Sequence, residues 1–222
     1  MPRIPSPEGN RVGTQPLSTN SQTISWQCHV IDNYYQSKKR TVVAVEALSR
    51  FTLLLPFDFV PTQIELQKRI SQQWAYSLVS LMVQHGEISR EEEALVFEHI
   101  VTQVDNVEWW RNTDLSVNGH VSDAEHWVVQ TIADHNIDGL SDEAAFDLAY
   151  HINSFSKRAK DQNGKKRQFY PVPHFVDDGL FRFMPDWFGE DFLPAPYSPS
   201  KSKLPVKSNV VSLSDYRDGK VK

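Results

Sequence analysis

The polar run RNTDLSVNGHVSD at residues 111–123 gathers the side chains best equipped for chemistry. Arg111, Asn112, Asp114, Ser116 and His120 offer a guanidinium, an amide, a carboxylate, a hydroxyl and an imidazole in one short stretch. The run reads as a loop between a strand and a capped helix, whose free N-terminal amides can receive an anion. The basic triplet Lys38, Lys39 and Arg40 converges on it if the strands bearing the two are neighbours. That arrangement would suit a nucleic-acid-acting factor or an enzyme. The alternative is an ordinary strand-to-helix connection, which is polar whether or not it binds anything.

Other chemistries find less support. His120, Asp123, Glu125 and His126 hint at a metal site, but the two histidines lack the i, i+4 spacing that sets two ligands on one helix face, so no metal is expected. Ser116 lies near His120 without a sharp glycine-flanked turn to present a nucleophile. The nine glycines form no GxGxxG or phosphate-loop pattern, and no cofactor is implied. The single cysteine, Cys28, sits inside a strand pattern and reads as a buried, inert thiol. The sequence thus contains no recognisable catalytic set.

The elements that must position these residues begin at Ile24. Trp26, Cys28 and Val30 alternate with polar neighbours, the period of two that marks a strand. TVVAV at residues 41–45 reads as a buried strand, and FTLLL at 51–55 as a third, ended by Pro56. Short links make an antiparallel meander the simplest pairing. Thr62 with Glu65 forms a capping box ahead of a helix with a stripe at Leu66, Ile70, Trp74, Leu78 and Leu81, stopped by Gly86. Ser89 with Glu92, and Ser122 with Glu125, predict two more capped helices, and Ser141 caps a fourth with Ala145, Leu148, Ala149 and Ile152 on one face. VDNVEWW at residues 104–110 is expected to be a strand. The fold class is therefore α+β: an antiparallel meander sheet packed by about four helices, with extended N- and C-terminal arms.

Length fits one domain with additions, since domains run to roughly 150 residues. The expected division is a flexible arm over residues 1–22, a core over 23–155, a strap over 156–193 and a tail over 194–222. Residues 156–167 hold six cations against one acid, whereas 177–191 hold five acids against Arg182. Residues 169–192 are read as an extended aromatic strap, with Phe181, Phe183, Trp187 and Phe188 as partner contacts. Tyr216 lies in NVVSLSDYR, a short apolar island suited to docking. A protein partner engaged through residues 156–222 is the leading functional expectation.

Nucleic acid could be gripped by the cations of residues 157–167 with Phe169 and Tyr170 stacking on bases. It is the less favoured partner, because a net charge of −5 opposes general polyanion binding. No apolar leader and no run near ~18 apolar residues occurs, so the expectation is a cytoplasmic protein with no membrane contact.

The segments SWQCHVI, KKRTVVAV and NTDLSVNGHVSDA resemble an uncharacterised bacterial domain family over about residues 24–135. Its pattern is Ser-Trp-His-Ala-Asn-Leu, then Arg-Arg-Lys before a β-branched strand, then Asn-Arg-Ser-Val with a Gly and an Asn-Asp. Ser25 and Trp26, the triplet Lys38, Lys39 and Arg40, and Ser116, Val117 and Gly119 carry the likeness. Cys28, His29, Leu115, Ser122 and Asp123 depart from it. The family's function is unknown, so the resemblance implies a sheet-then-helices order and no activity.

Overall fold

The computed structural model describes residues 11–13, 16–19, 23–33, 37–104, 107–160 and 165–184. Trp26–Asp32 (β2), Arg40–Glu46 (β3) and Thr52–Phe57 (β4) form an antiparallel meander with β3 in the centre. Ahead of them Arg11–Gly13 (β1) makes a separate pairing described below. The three expected strands of the meander are all present, with one correction. Pro56 does not end the third strand, but pairs with Thr41 inside it. It is tolerated because β4 is an edge strand, where a missing N–H need not break the ladder.

Helices cover both faces of the sheet. Val42 and Ala44 of β3, with Leu53 and Leu55, meet Gln63–His85 (α1), Glu93–Gln103 (α2) and Pro171–Phe183 (α5). Val43 and Val45, with Ile31 and Leu54, meet Leu115–His135 (α3) and Asp142–Ser154 (α4). The Thr62/Glu65 capping box, the left-handed Gly86 stop and the Ser141 cap all form as expected. The class is α+β as expected, with five helices among the described residues where about four were expected.

Several boundaries differ from expectation. The Ser89/Glu92 box is only half made: the Glu92 carboxylate accepts from the Ser89 amide, residues 90–92 form a turn, and α2 starts at Glu93. Of residues 104–110, those described are not strand. The ladder falls instead on Arg111–Asn112 (β5), which runs parallel to β1. Ser122 is no cap, because Asp114 caps α3 two turns earlier. Val117, Val121, Ala124, Val128 and Ile132 then form one uninterrupted buried stripe.

The largest correction concerns the strap. Lys157–Lys160 (β6) and Lys166–Phe169 (β7) form an antiparallel hairpin, and the following residues form α5 rather than an extended segment. Pro171 and Pro173 lie in its first turn, where no N–H is needed, so the prolines start the helix instead of breaking it. Phe175, Val176, Gly179, Leu180 and Phe183 bury a stripe against α1, and the Phe183 ring lies 5.3 Å from Trp74. Phe183 is core, Phe181 is half-buried, and Trp187, Phe188 and Tyr216 lie outside the described residues. Phe183 is therefore no partner contact.

The described parts of the N-terminal arm are extended and lie against the core. The Leu17 amide donates to Asp114 Oδ2 at 2.7 Å and the Thr19 hydroxyl donates to Glu46. On the opposite edge, the fully buried Asn153 of α4 mimics a neighbouring strand. Its Oδ1 accepts from the Thr52 amide and its Nδ2 donates to the Thr52 carbonyl, each at 2.8 Å. Replacing Asn153 by Ala leaves both backbone groups buried and unpaired, an expected loss of about 3 kcal/mol measurable by urea denaturation.

Candidate functional site

The structure separates the two groups that the sequence reading brings together. Lys39 and Arg40 sit where β2 joins β3, at the end of the sheet near the C-terminus of α3. Lys39 Nζ lies 2.8 Å from Asp138 Oδ1 in the turn after α3. The Arg40 guanidinium pairs with Asp32 at 3.1 Å and donates to the carbonyls of Ser37 and Lys39. These contacts clamp two turns together, while Lys38 faces solvent. Asp114 and Ser116 lie at the other end of α3, which spans 21 residues and so about 30 Å. The triplet does not face them.

Around Asp114 the polar groups serve mainly to hold the fold. Its carboxylate accepts from the amides of Ser116 and Leu17, and its own amide donates to the Gln27 side chain. Burial acts to raise this carboxyl. The hydrogen bonds from Ser116 and Leu17, with the charge of Arg50, outweigh burial and hold it below the usual range. The anion that the N-terminus of α3 favours is thus the chain's own. Of Arg111 and Asn112 the structure describes only the backbone, in the pairing with β1.

Beyond Asp114, one face of α3 carries Ser116, His120, Asp123 and Trp127, spaced four, three and four residues apart so that they align. Three other elements meet this face. Arg50, in the turn between β3 and β4, has φ of 58°. It donates from Nη1 to the Ala47 carbonyl and from Nη2 to Ser116 Oγ. Next, β6 runs near enough to this face for the Arg158 backbone and the Lys157 charge to act on His120. Finally, the C-terminus of α4 supplies His151 and Phe155. The Phe155 ring stacks on Trp127 at 6.1 Å and 13°, and His151 meets both rings edge-on. Trp127 is 38 % and Phe155 45 % exposed, leaving ring surface open to solvent.

The strip is about 16 Å long, measured along α3. It is polar and cationic at one end and aromatic at the other, and β6 leads from it into the hairpin. Arg158 and Lys166 are exposed on that hairpin, as is Tyr170 just beyond it. Phe169, expected to stack on a base, is buried with its ring edge-on to His174 at 5.1 Å.

Burial, followed by the charges of Arg50 and Lys157, pushes His120 down to about 4, against the opposing pull of Asp123 and the Arg158 carbonyl. The ring is neutral at pH 7. No hydrogen bond joins it to Ser116, so the two do not form a nucleophile–base pair. Burial also lowers Lys157, with Asp123 opposing. Cys28 is pushed up to about 12 by burial and stays protonated. Among the described residues no group of three or more His, Cys, Asp or Glu side chains could hold a metal ion, and no helix is long and apolar enough to cross a membrane. No protein-family model, curated protein or solved structure matches the chain.

Sequence reasoning missed Arg50, Trp127, His151 and Phe155. Trp127 was detectable, since it lies eleven residues after Ser116 on the same helical face. The other three meet that face only through tertiary packing. If Lys157 depresses His120 as the geometry implies, Lys157→Met will move the His120 titration upward from about 4 toward the ordinary histidine value near 6.5. Two-dimensional NMR of the imidazole nitrogens reads this directly, and an unmoved titration would separate the two groups.

Proposed function

We propose that the protein acts by binding single-stranded nucleic acid along the α3 strip and the β6–β7 hairpin. The observation that carries this reading is the continuity of stacked, solvent-facing rings at Trp127 and Phe155 with a hairpin bearing cations at Lys157, Arg158, Lys166 and Arg167. Ring faces accept any base and cations follow the backbone, the combination used by single-strand binders. An acidic protein segment would satisfy the same cations but give the rings no planar partner. The negative total charge fits a contact confined to this surface.

Of residues 156–222, where a protein partner was expected, α5 is spent on the core and residues 185–222 lie outside the described residues, so the present reading concerns the hairpin alone. The likeness of residues 24–135 to a family of unknown function suggests no ligand and adds nothing to this assignment.

Fluorescence anisotropy with a labelled oligonucleotide of about twelve nucleotides tests the reading. Three phosphate contacts predict a loss of affinity of about 20-fold between 50 and 200 mM salt. Trp127→Ala should weaken binding about tenfold, by removal of one stacking surface worth about 1–3 kcal/mol. The pair Arg158→Glu with Lys166→Glu should abolish binding while leaving the far-ultraviolet circular dichroism unchanged. Salt-independent binding, or binding indifferent to these changes, would remove the strip as the contact surface.

A further inference from the structure

The two edges of the meander are finished differently. In an antiparallel ladder alternate residues turn their N–H and C=O toward one neighbour, and the residues between turn theirs the other way. The Glu46 amide donates to the Phe51 carbonyl, which fixes Thr52, Leu54 and Pro56 as the residues of β4 that face away from β3. Thr52 has both backbone groups satisfied by Asn153, and Pro56 has no N–H to offer, so this edge is closed to a further strand. The Ala47 amide donates to the Ser25 carbonyl, which by the same rule turns Trp26, Cys28, Val30 and Asp32 of β2 outward. Among the described residues no strand other than β3 pairs with β2, and no hydrogen bond from outside the meander reaches the backbone of these four.

The devices that blunt β4 are missing from β2. It is seven residues long, its register with β3 is unbroken by any bulge, and WQCHVID holds no proline, lysine or arginine. Trp26, Cys28 and His29 are only partly buried, so side-chain surface beside the open backbone is uncovered as well. An edge of this kind is a template for another strand.

We propose that the outer edge of β2 pairs antiparallel with β2 of a second copy of this chain, joining two meanders into one six-stranded sheet. An antiparallel edge is complementary to itself about a two-fold axis, because each outward N–H meets an outward C=O of the copy. With the axis beside His29 all four open residues are used. Trp26 then pairs with Asp32 of the second copy and Cys28 with Val30 of the second copy, and the reverse. Each pair exchanges two backbone hydrogen bonds. Area favours a whole copy over an isolated extended peptide. Seven residues make an edge about 24 Å long, and the sheet with a helical layer on each face is about 30 Å deep. The joined faces bury about 1,400 Å² in total, within the range of stable interfaces, whereas a lone strand meets only the middle layer. The pairing is independent of the nucleic-acid reading.

Full-length protein at about 500 μM is examined by multi-angle light scattering and by amide exchange followed by NMR. The mass should be that of two chains, with the outward amides of Cys28 and Val30 protected. Cys28→Pro removes one outward donor and leaves the bonds to β3 in place. His29→Lys sets two like charges opposite each other across the axis. Each variant should have the mass of one chain and unchanged far-ultraviolet circular dichroism. In each, the Val30 amide should exchange at least tenfold faster, while the Val43 amide, which bonds to β2 within the meander, stays protected. Mixing His29→Lys with His29→Glu should restore the two-chain mass, which a merely destabilised variant would not do. A single-chain mass at about 500 μM, or a two-chain mass surviving in both variants, would overturn the pairing. Protection of the Val30 amide in protein of single-chain mass would also overturn it, because a segment of the same chain would then cover the edge.

Discussion

Burial of β3 on both faces is the constraint from which the rest of the structure follows. Its alternate residues enter two different cores, Val42 and Ala44 on one side and Val43 and Val45 on the other, and all four are fully buried. A valine removed completely from water contributes on the order of 2 kcal/mol, so neither face can be left open. The chain must therefore deliver helices to both sides of a three-stranded meander. It does so in two passes, α1 and α2 to the first face, then α3 and α4 to the second, before α5 returns to the first. Covering the second face carries α3 past the β3–β4 turn, while α4 hands the chain to β6. The strip of Ser116, His120, Asp123 and Trp127 lies where those elements meet.

The sequence revealed what local physics controls. Alternation in β2, β-branching in β3, the reciprocal cap of Thr62 and Glu65, and the left-handed stop at Gly86 depend on neighbours a few residues away, and all are found in place. Errors arose where two local signals competed. At Ser116–Gly119 the polar and glycine content suggested a loop, yet Val117 and Val121 already begin the stripe completed by Ala124, Val128 and Ile132. At Pro171 and Pro173 composition suggested an extended strap, although proline at the first turn of a helix is favourable. In both places apolar spacing was the better guide than composition.

The candidate site was less legible than the fold, for a physical reason. Arg50, Lys157 and Phe155 are separated from His120 and Trp127 by tens of residues and approach them only because two layers pack on one sheet. Nothing in the local pattern of SKRAK distinguishes a solvated charge run from a hairpin whose first lysine is buried. The sequence singled out residues 111–123 and the triplet at 38–40 as one convergent group, and the structure places Asp114 and Lys39 at opposite ends of α3. At one end the contacts are those of a clamp, with Lys39 on Asp138, and at the other those of a cap, with Asp114 on Leu17 and Ser116. Charged residues spent on each other hold structure.

The clasp of the N-terminal arm has a consequence for synthesis. Leu17 finds its acceptor 97 residues later in the chain, at the residue that caps α3. A ribosome adding about 5–20 residues per second exposes the arm on the order of 10 s before Asp114 exists to receive it. During that interval the amide of Leu17 lacks its acceptor, although Thr19 and Glu46, 27 residues apart, are both already made. The meander and α1 can form meanwhile from contacts nearer in sequence. Docking of the arm is therefore one of the later events on the nascent chain, coupled in time to the start of α3.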